Sequence, residues 1–207
     1  MVIVRKGIVC EEVTLKSGKE GEVVCAKISV AKSPPMYVCA YYRPPKDTVD
    51  ALDSLDNVLE EIEVMIQKNP RSCVVVAGDF NAPGINWDEE TIQPDCPNKG
   101  MCSRLIDILS SYSLKQFQKT PTRLKSILDL FCTNKPGLVK KVSLTPGISD
   151  HDGVIIVDMA LRAVINKKAP RRVPLWSKAD WNQIKSDTAA FSNDFLSKQH
   201  ERTPEEN

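Results

Sequence analysis

The chain predicts a layered α/β domain, and three observations carry that expectation. Short apolar, valine-rich runs recur along it and read as strands. Two longer segments between them repeat their apolar residues at helical steps. Its 207 residues, 42% hydrophobic and 27% charged, match an ordinary globular protein of one domain or one domain with an appendage. Strands separated by helices are the pattern of a layered α/β architecture.

Taken in order, residues 2–15 and 22–30 predict two strands joined by the polar turn KSGKEGE. MYVCAYYR, residues 36–43, predicts a third that stops at Pro44 and Pro45. Leu52, Leu55, Leu59, Ile62 and Ile66 then form one apolar helical stripe, with Asp47 or Asp50 as its cap and Pro70 beyond its end. The run VVVAGDFNAP predicts a buried strand ending at Asp79, and INWDEETIQPDCPNKG a polar loop. Met101, Leu105, Ile108, Leu109 and Tyr112 mark a second amphipathic helix. Short strands are expected at 114–118, 126–133, 138–144 and 153–161.

After Leu161 the composition changes. Residues 162–172, RAVINKKAPRR, carry five positive charges and no acid, as a linker would. Ser177 to Asp180 has the form of a capping box opening a helix with Trp181, Ile184, Phe191 and Phe195. The expected organisation is a domain over 1–162, a basic linker over 163–176, a helix over 177–197 and a disordered tail over 198–207.

Net charge is +1, so any surface for a polyanion must be local. Seven scattered cysteines with no CxxC pair, beside only two histidines, argue against a Cys/His zinc site. Cys25, Cys39, Cys73 and Cys132 lie in apolar runs, as buried thiols of a reducing, intracellular setting do. The start of the chain is too charged for a secretory signal, and no apolar run approaches a membrane span, so a nuclear or cytoplasmic protein is expected.

Polar residues at strand ends are the candidate site. Asp79 and Asn81 follow the valine run, Tyr42 ends AYYRPP, Asp129 sits in SILDLFCTN, and Asp150 with His151 stands in GISDHDG. Asp79 and Asn81 could merely start a turn, Asp129 could be a structural ion pair, Tyr42 packing, and His151 a solvated turn residue. Yet phosphodiester hydrolysis needs these types together. A carboxylate activates water, another oxygen ligand holds Mg²⁺, an amide and a phenol bond developing charge, and a braced histidine orients phosphate.

The series YRPP, GDFN, ILDL and SDH resembles the motif order of the endonuclease/exonuclease/phosphatase superfamily, the DNase I-like fold. GDFNAPGINW, TPTR with ILDLFCTN, and LTPGISDHDGVII resemble the AP-endonuclease-like domain of non-LTR (LINE-type) retrotransposons in the chicken-repeat and Jockey style. LWSKADWNQIK resembles the connector to reverse transcriptase in those polyproteins. The resemblance covers about residues 1–195. It implies a two-sheet sandwich flanked by helices, four layers in α/β/β/α order, and a Mg²⁺- or Mn²⁺-dependent endonuclease that nicks DNA and uses no small-molecule cofactor.

By the same resemblance Asp79 activates the attacking water and Asn81 holds the scissile phosphate. His151 contacts the phosphate and is braced by Asp129. Asp150 lies at the metal, Tyr42 touches the phosphate, and Ser149 fixes the turn. Arg123 and the basic stretch 119–141 are candidates for the DNA backbone or a solvated surface, and Trp87 for a sugar or base contact or for the edge of the core. The family opens with a strand ending in asparagine and one carrying a metal-binding glutamate, and nothing like either precedes MVIVRKGIVC. The expectation is therefore an N-terminally truncated domain short of its main metal ligand. A non-catalytic remnant that binds nucleic acid or a partner, and a phosphatase for a small ester, stand as alternatives.

Overall fold

The computed structural model describes residues 1–17, 23–30, 33–45, 50–147, 151, 153–161 and 176–198. The chain divides into two compact units, residues 1–164 and 165–207.

In the first unit the elements are β1 (Val9–Glu12), β2 (Val23–Ser29), β3 (Met36–Tyr42), α1 (Asp50–Gln67), β4 (Cys73–Asp79), β5 (Ile85–Asn86), β6 (Thr91–Ile92), α2 (Lys99–Ser111), β7 (Lys115–Gln116), β8 (Asp129–Thr133), β9 (Val139–Pro146) and β10 (Gly153–Met159). The main sheet has the order β1-β2-β3-β4-β8-β7. Among the described strands only β3 and β4 pair in parallel, because α1 crosses over between them. The hairpin β9–β10 forms a separate two-stranded sheet, and β5–β6 another.

Alternation along the strands sorts residues to two faces. On β4, Val74 and Val76 face the helix side, where Leu52, Leu55 and Leu59 of α1 and Leu105 and Ile108 of α2 are buried with them. Each such side chain stabilises the fold by about 1.5–3 kcal/mol relative to exposure. Val75 faces the other way, with Met36 of β3 and Phe131 of β8, and meets Val139, Ile155 and Val157 of the hairpin. The described residues thus stack helices, main sheet and hairpin, three of the four expected layers.

Several details differ from the sequence expectation. Strand structure over 2–15 shrinks to Val9–Glu12, all exposed, because a turn from Arg5 to Ile8 around Gly7 (φ 94°) interrupts the run. The strand expected from 126 begins only at Asp129, because Arg123 and Ser126 bridge in a tight turn just before it. The polar loop after GDFN contains the β5–β6 hairpin. Asn98, not foreseen as a cap, accepts the Met101 N–H and starts α2. Asp47, the turn residues 18–22 and the Asp50 side chain lie outside the described residues.

In the second unit, a 3-10 turn at Trp176–Lys178 precedes α3 (Trp181–Ser197). Asp180 rather than Ser177 caps it, accepting from the N–H groups of Asn182 and Gln183, so the helix starts three residues later than the capping-box pattern suggests. The expected linker, apart from Trp176, and the tail beyond Lys198 lie outside the described residues.

Candidate active site

The register of the main sheet sets three of the expected residues in one row. Tyr42 of β3 pairs with Asp79 of β4, and Asp79 pairs with Asp129 of β8. Residues opposite one another across a ladder share a face, and strand parity puts this row on the hairpin side. His151, between β9 and β10 in the chain, lies at the same end of the sheet.

There His151 Nδ1 lies 2.6 Å from Asp129 Oδ2, and Nε2 lies 3.7 Å from Asp79 Oδ2. All three side chains are 16–23% exposed. With Asp129 ionised, Nδ1 carries the proton it donates, and Nε2 is turned toward the second carboxylate. Asp79 has its carboxyl held above the usual range, chiefly by burial. The neighbouring Asp129 charge raises it further, whereas the Asn81 hydrogen bonds and His151 pull it down.

Asn81 shapes the loop after β4. It has a left-handed backbone, φ 46°, which asparagine tolerates better than most residues. Its N–H donates to Asp79 Oδ1 at 3.0 Å. Its amide Nδ2 donates to Asp79 Oδ2 at 2.9 Å and to the Arg43 carbonyl at 2.7 Å, so both amide hydrogens are engaged. Gly78 is required just before: at φ 147°, a Cβ there would sit 1.8 Å from the Tyr41 carbonyl oxygen.

Two residues that sequence reasoning passed over hold this arrangement. Arg43 is only 2% exposed; its N–H donates to the Asp79 carbonyl, and its guanidinium to the carbonyls of Asn81 and Pro44. It stood in the YRPP motif and was overshadowed by Tyr42. Thr122, completely buried, accepts the N–H groups of Leu128 and Asp129, each at 3.0 Å. Its signal was the threonine of TPTR, seven residues before Asp129.

The other expected residues scatter. Tyr42 is 46% exposed at the end of β3. Arg123 shares with Asn81 and Arg43 a cleft of about 390 Å³ that Leu128 and Met101 also line. Trp87 is 4% exposed, which fits the edge-of-core role and withdraws its ring from a sugar or base. The basic stretch 119–141 is not one surface: Arg123 precedes the Asp129 end of β8, whereas Lys135 follows Thr133 at the far end and bonds the Pro70 carbonyl. Ser149 and Asp150 lie outside the described residues.

A family model described as endonuclease-reverse transcriptase matches residues 36–155, a span running from β3 through the site to β10. The chain belongs to that family. Membership identifies the stacked sheets as the DNase I-like sandwich of the endonuclease/exonuclease/phosphatase superfamily and is consistent with a nuclease-like role. Among solved structures, an endonuclease/exonuclease/phosphatase family protein from Leptotrichia buccalis is similar at 19% identity with a TM-score of 0.43. The match covers 67% of this chain and 54% of that one, so the chain spans about half of that protein's length. No curated protein matches the chain.

The superfamily is generally hydrolytic and typically uses divalent metals. Among the described residues no three His, Cys, Asp or Glu side chains converge as a metal group. Asp79 is engaged by Asn81 and Asp129 by His151, so these carboxylates do not by themselves make a magnesium site. No helix of the described residues is long and apolar enough to cross a membrane.

Proposed function

We propose that this endonuclease-reverse transcriptase family chain is a retrotransposon-type endonuclease module that hydrolyses DNA phosphodiester bonds. The observation that carries the reading is the His151 imidazole held between Asp129 and Asp79 at the end of the sheet. Asp79, with its raised proton affinity, takes a proton from the attacking water. Asn81 redirects one amide N–H from Asp79 Oδ2 to a phosphoryl oxygen, donating a hydrogen bond there instead. That exchange also removes a bond that lowers the basicity of Asp79, so phosphate binding strengthens the base. His151, steadied through Nδ1 and in its imidazolium form, donates Nε2–H to the phosphate, and Tyr42 its phenol. Arg123, in the cleft it shares with Asn81, meets the DNA backbone.

Asp150 is the expected ligand for Mg²⁺ or Mn²⁺, and metal dependence is part of the proposal. The seven cysteines are all free thiols, which supports an intracellular setting. A second reading, nucleic-acid binding without cleavage, draws on the two engaged carboxylates and on the committed hydrogens of Asn81. Plasmid nicking by the 207-residue chain, with Mg²⁺ and with EDTA, separates the two. Nicking that needs the metal and is lost in His151→Ala supports the endonuclease. Salt-sensitive binding with no nicking supports the second reading, and hydrolysis of a soluble phosphate ester with DNA left intact would replace both with a phosphatase.

A further inference from the structure

Cys96 lies between β6 and α2, and Cys102 lies in the first turn of α2. Their Sγ atoms are 3.3 Å apart, each thiol within hydrogen-bond reach of the other. The surroundings hold them there. A Cβ added at Gly84 would sit 2.2 Å from Cys96 Sγ, so that sulfur lies against the Gly84 backbone as well as against Cys102. Asn98, between the two cysteines, caps α2 through the Met101 N–H, and its carbonyl accepts from the Cys102 N–H at 3.2 Å. A bond between the sulfurs, about 2 Å long, asks them to close by little more than about 1 Å.

A second pair provides the contrast. Cys25 and Cys39 face each other across β2 and β3 with the same separation of 3.3 Å, but they are only 2% and 0% exposed. Cys96 is 8% exposed and Cys102 wholly buried. One thiol of this pair can therefore be met from outside, and the second stands behind it. That is the arrangement of an attacking thiol with a resolving partner.

We propose that Cys96 and Cys102 are a modification site, which a peroxide converts to a reversible disulfide. The Cys96 thiolate attacks one peroxide oxygen: an S–O bond forms, the O–O bond breaks, and the departing hydroxide takes up a proton and leaves as water. The Cys102 thiolate then attacks Cys96 Sγ. The S–S bond forms, the S–O bond breaks, and a second water leaves. Two thiols give up two electrons, and the peroxide gains them. A dithiol reductant reverses the bond by exchange. Burial, and then Cys96 itself, push the Cys102 thiol up to about 12, so Cys96 reacts first and the whole reaction is slow at neutral pH. The ring that closes over residues 96–102 carries Pro97, Asn98 and Met101, which line the cleft shared by Asn81 and Arg123. Oxidation thus acts on the wall of that cleft. The inference does not depend on the nuclease reading.

The test exposes the reduced full chain to hydrogen peroxide, blocks the remaining thiols with iodoacetamide and maps the tryptic peptides by mass spectrometry. The expected product joins GMCSR, residues 100–104, to the peptide ending at Lys99, lighter by two hydrogens than the two together. Fragmentation should place the bond at Cys96, dithiothreitol should release it, and its formation should quicken as pH rises. Cys96→Ser and Cys102→Ser should each abolish it, while Cys25 and Cys39 stay reduced in the folded chain. In the ¹H–¹⁵N spectrum of the parent chain, the Asn98 and Met101 amide signals should move on oxidation and return with the reductant. That readout needs neither variant to fold. Cys96 oxidised with Cys102 still alkylated, a bond made through Cys73 instead, or a Cys25–Cys39 bond formed at least as fast would each overturn the assignment.

Discussion

Thr122→Val is the substitution that best tests how the site is held. Valine keeps the shape of threonine but replaces the hydroxyl with a methyl, so two backbone donors lose their acceptor at once. The Leu128 N–H is buried and the Asp129 N–H partly so, and both bond Thr122 Oγ1 at 3.0 Å. Leaving a buried donor unsatisfied costs about 1–3 kcal/mol. With the second donor discounted for partial exposure, the pair gives a loss of about 2–4 kcal/mol. For a chain of this size that corresponds to a fall in Tm of about 5–15 °C. Thr122→Ser, which keeps the oxygen, should lose about 1 kcal/mol or less. Urea unfolding of the three proteins measures the difference directly. A Thr122→Val chain within about 0.5 kcal/mol of its parent, or one no weaker than Thr122→Ser, would refute the claim that this hydroxyl anchors the start of β8.

Other outcomes follow from the same geometry. Asp79→Ala and His151→Ala should each reduce any nicking by at least about a hundredfold, measured by conversion of supercoiled plasmid. Because burial raises the Asp79 proton affinity, the acid limb of the pH–rate profile should lie above the ordinary carboxylate range and should vanish from the residual activity of Asp79→Asn. In stability the sign is opposite to that of a salt-bridged acid. The folded chain binds this proton more readily than the unfolded one, so the Asp79 contribution, referenced to Asp79→Asn, is present at low pH. It is lost as pH rises through the folded pKa, which pH-resolved urea titrations will show. Gly78→Ala should prevent normal pairing of β3 with β4, visible as lost tertiary signal, since its Cβ would overlap the Tyr41 carbonyl. Arg123→Ala should weaken DNA binding at all sequences and flatten its salt dependence by about one unit of slope.

The elements were legible wherever one face is buried. The stripe from Leu52 to Ile66 became α1, and the valine run became β4, because burial against a partner layer enforces the 3.6- and 2-residue periods. Legibility failed where no burial supports the pattern, as in residues 2–8, or where local turn chemistry intervenes, as at Arg123–Ser126. In the site, the strand-end acids could be found because polar residues closing apolar runs stand out. Arg43 and Thr122 could not, because their work is to bond backbone atoms whose positions exist only after folding. Trp87 carried two readings that sequence could not separate, since an aromatic next to a motif looks the same whether it faces the ligand or the core.

The row Tyr42–Asp79–Asp129 also bears on how the chain folds. No segment carries the site alone: Asp129 and His151 are 22 residues apart, and Arg43 and Asn81 are 38 apart. β3 and β4 must align across a helical crossover, β8 must then add in the opposite sense, and only afterwards can the β9–β10 turn deliver its imidazole. Contacts of such long sequence separation form slowly, after their loop-closure entropy has been overcome. A refolding chain should therefore regain helical signal first and the His151–Asp129 pair last. The imidazole resonance of His151 becomes a clock for the final step of folding, one that registers completion of the sandwich and nothing earlier.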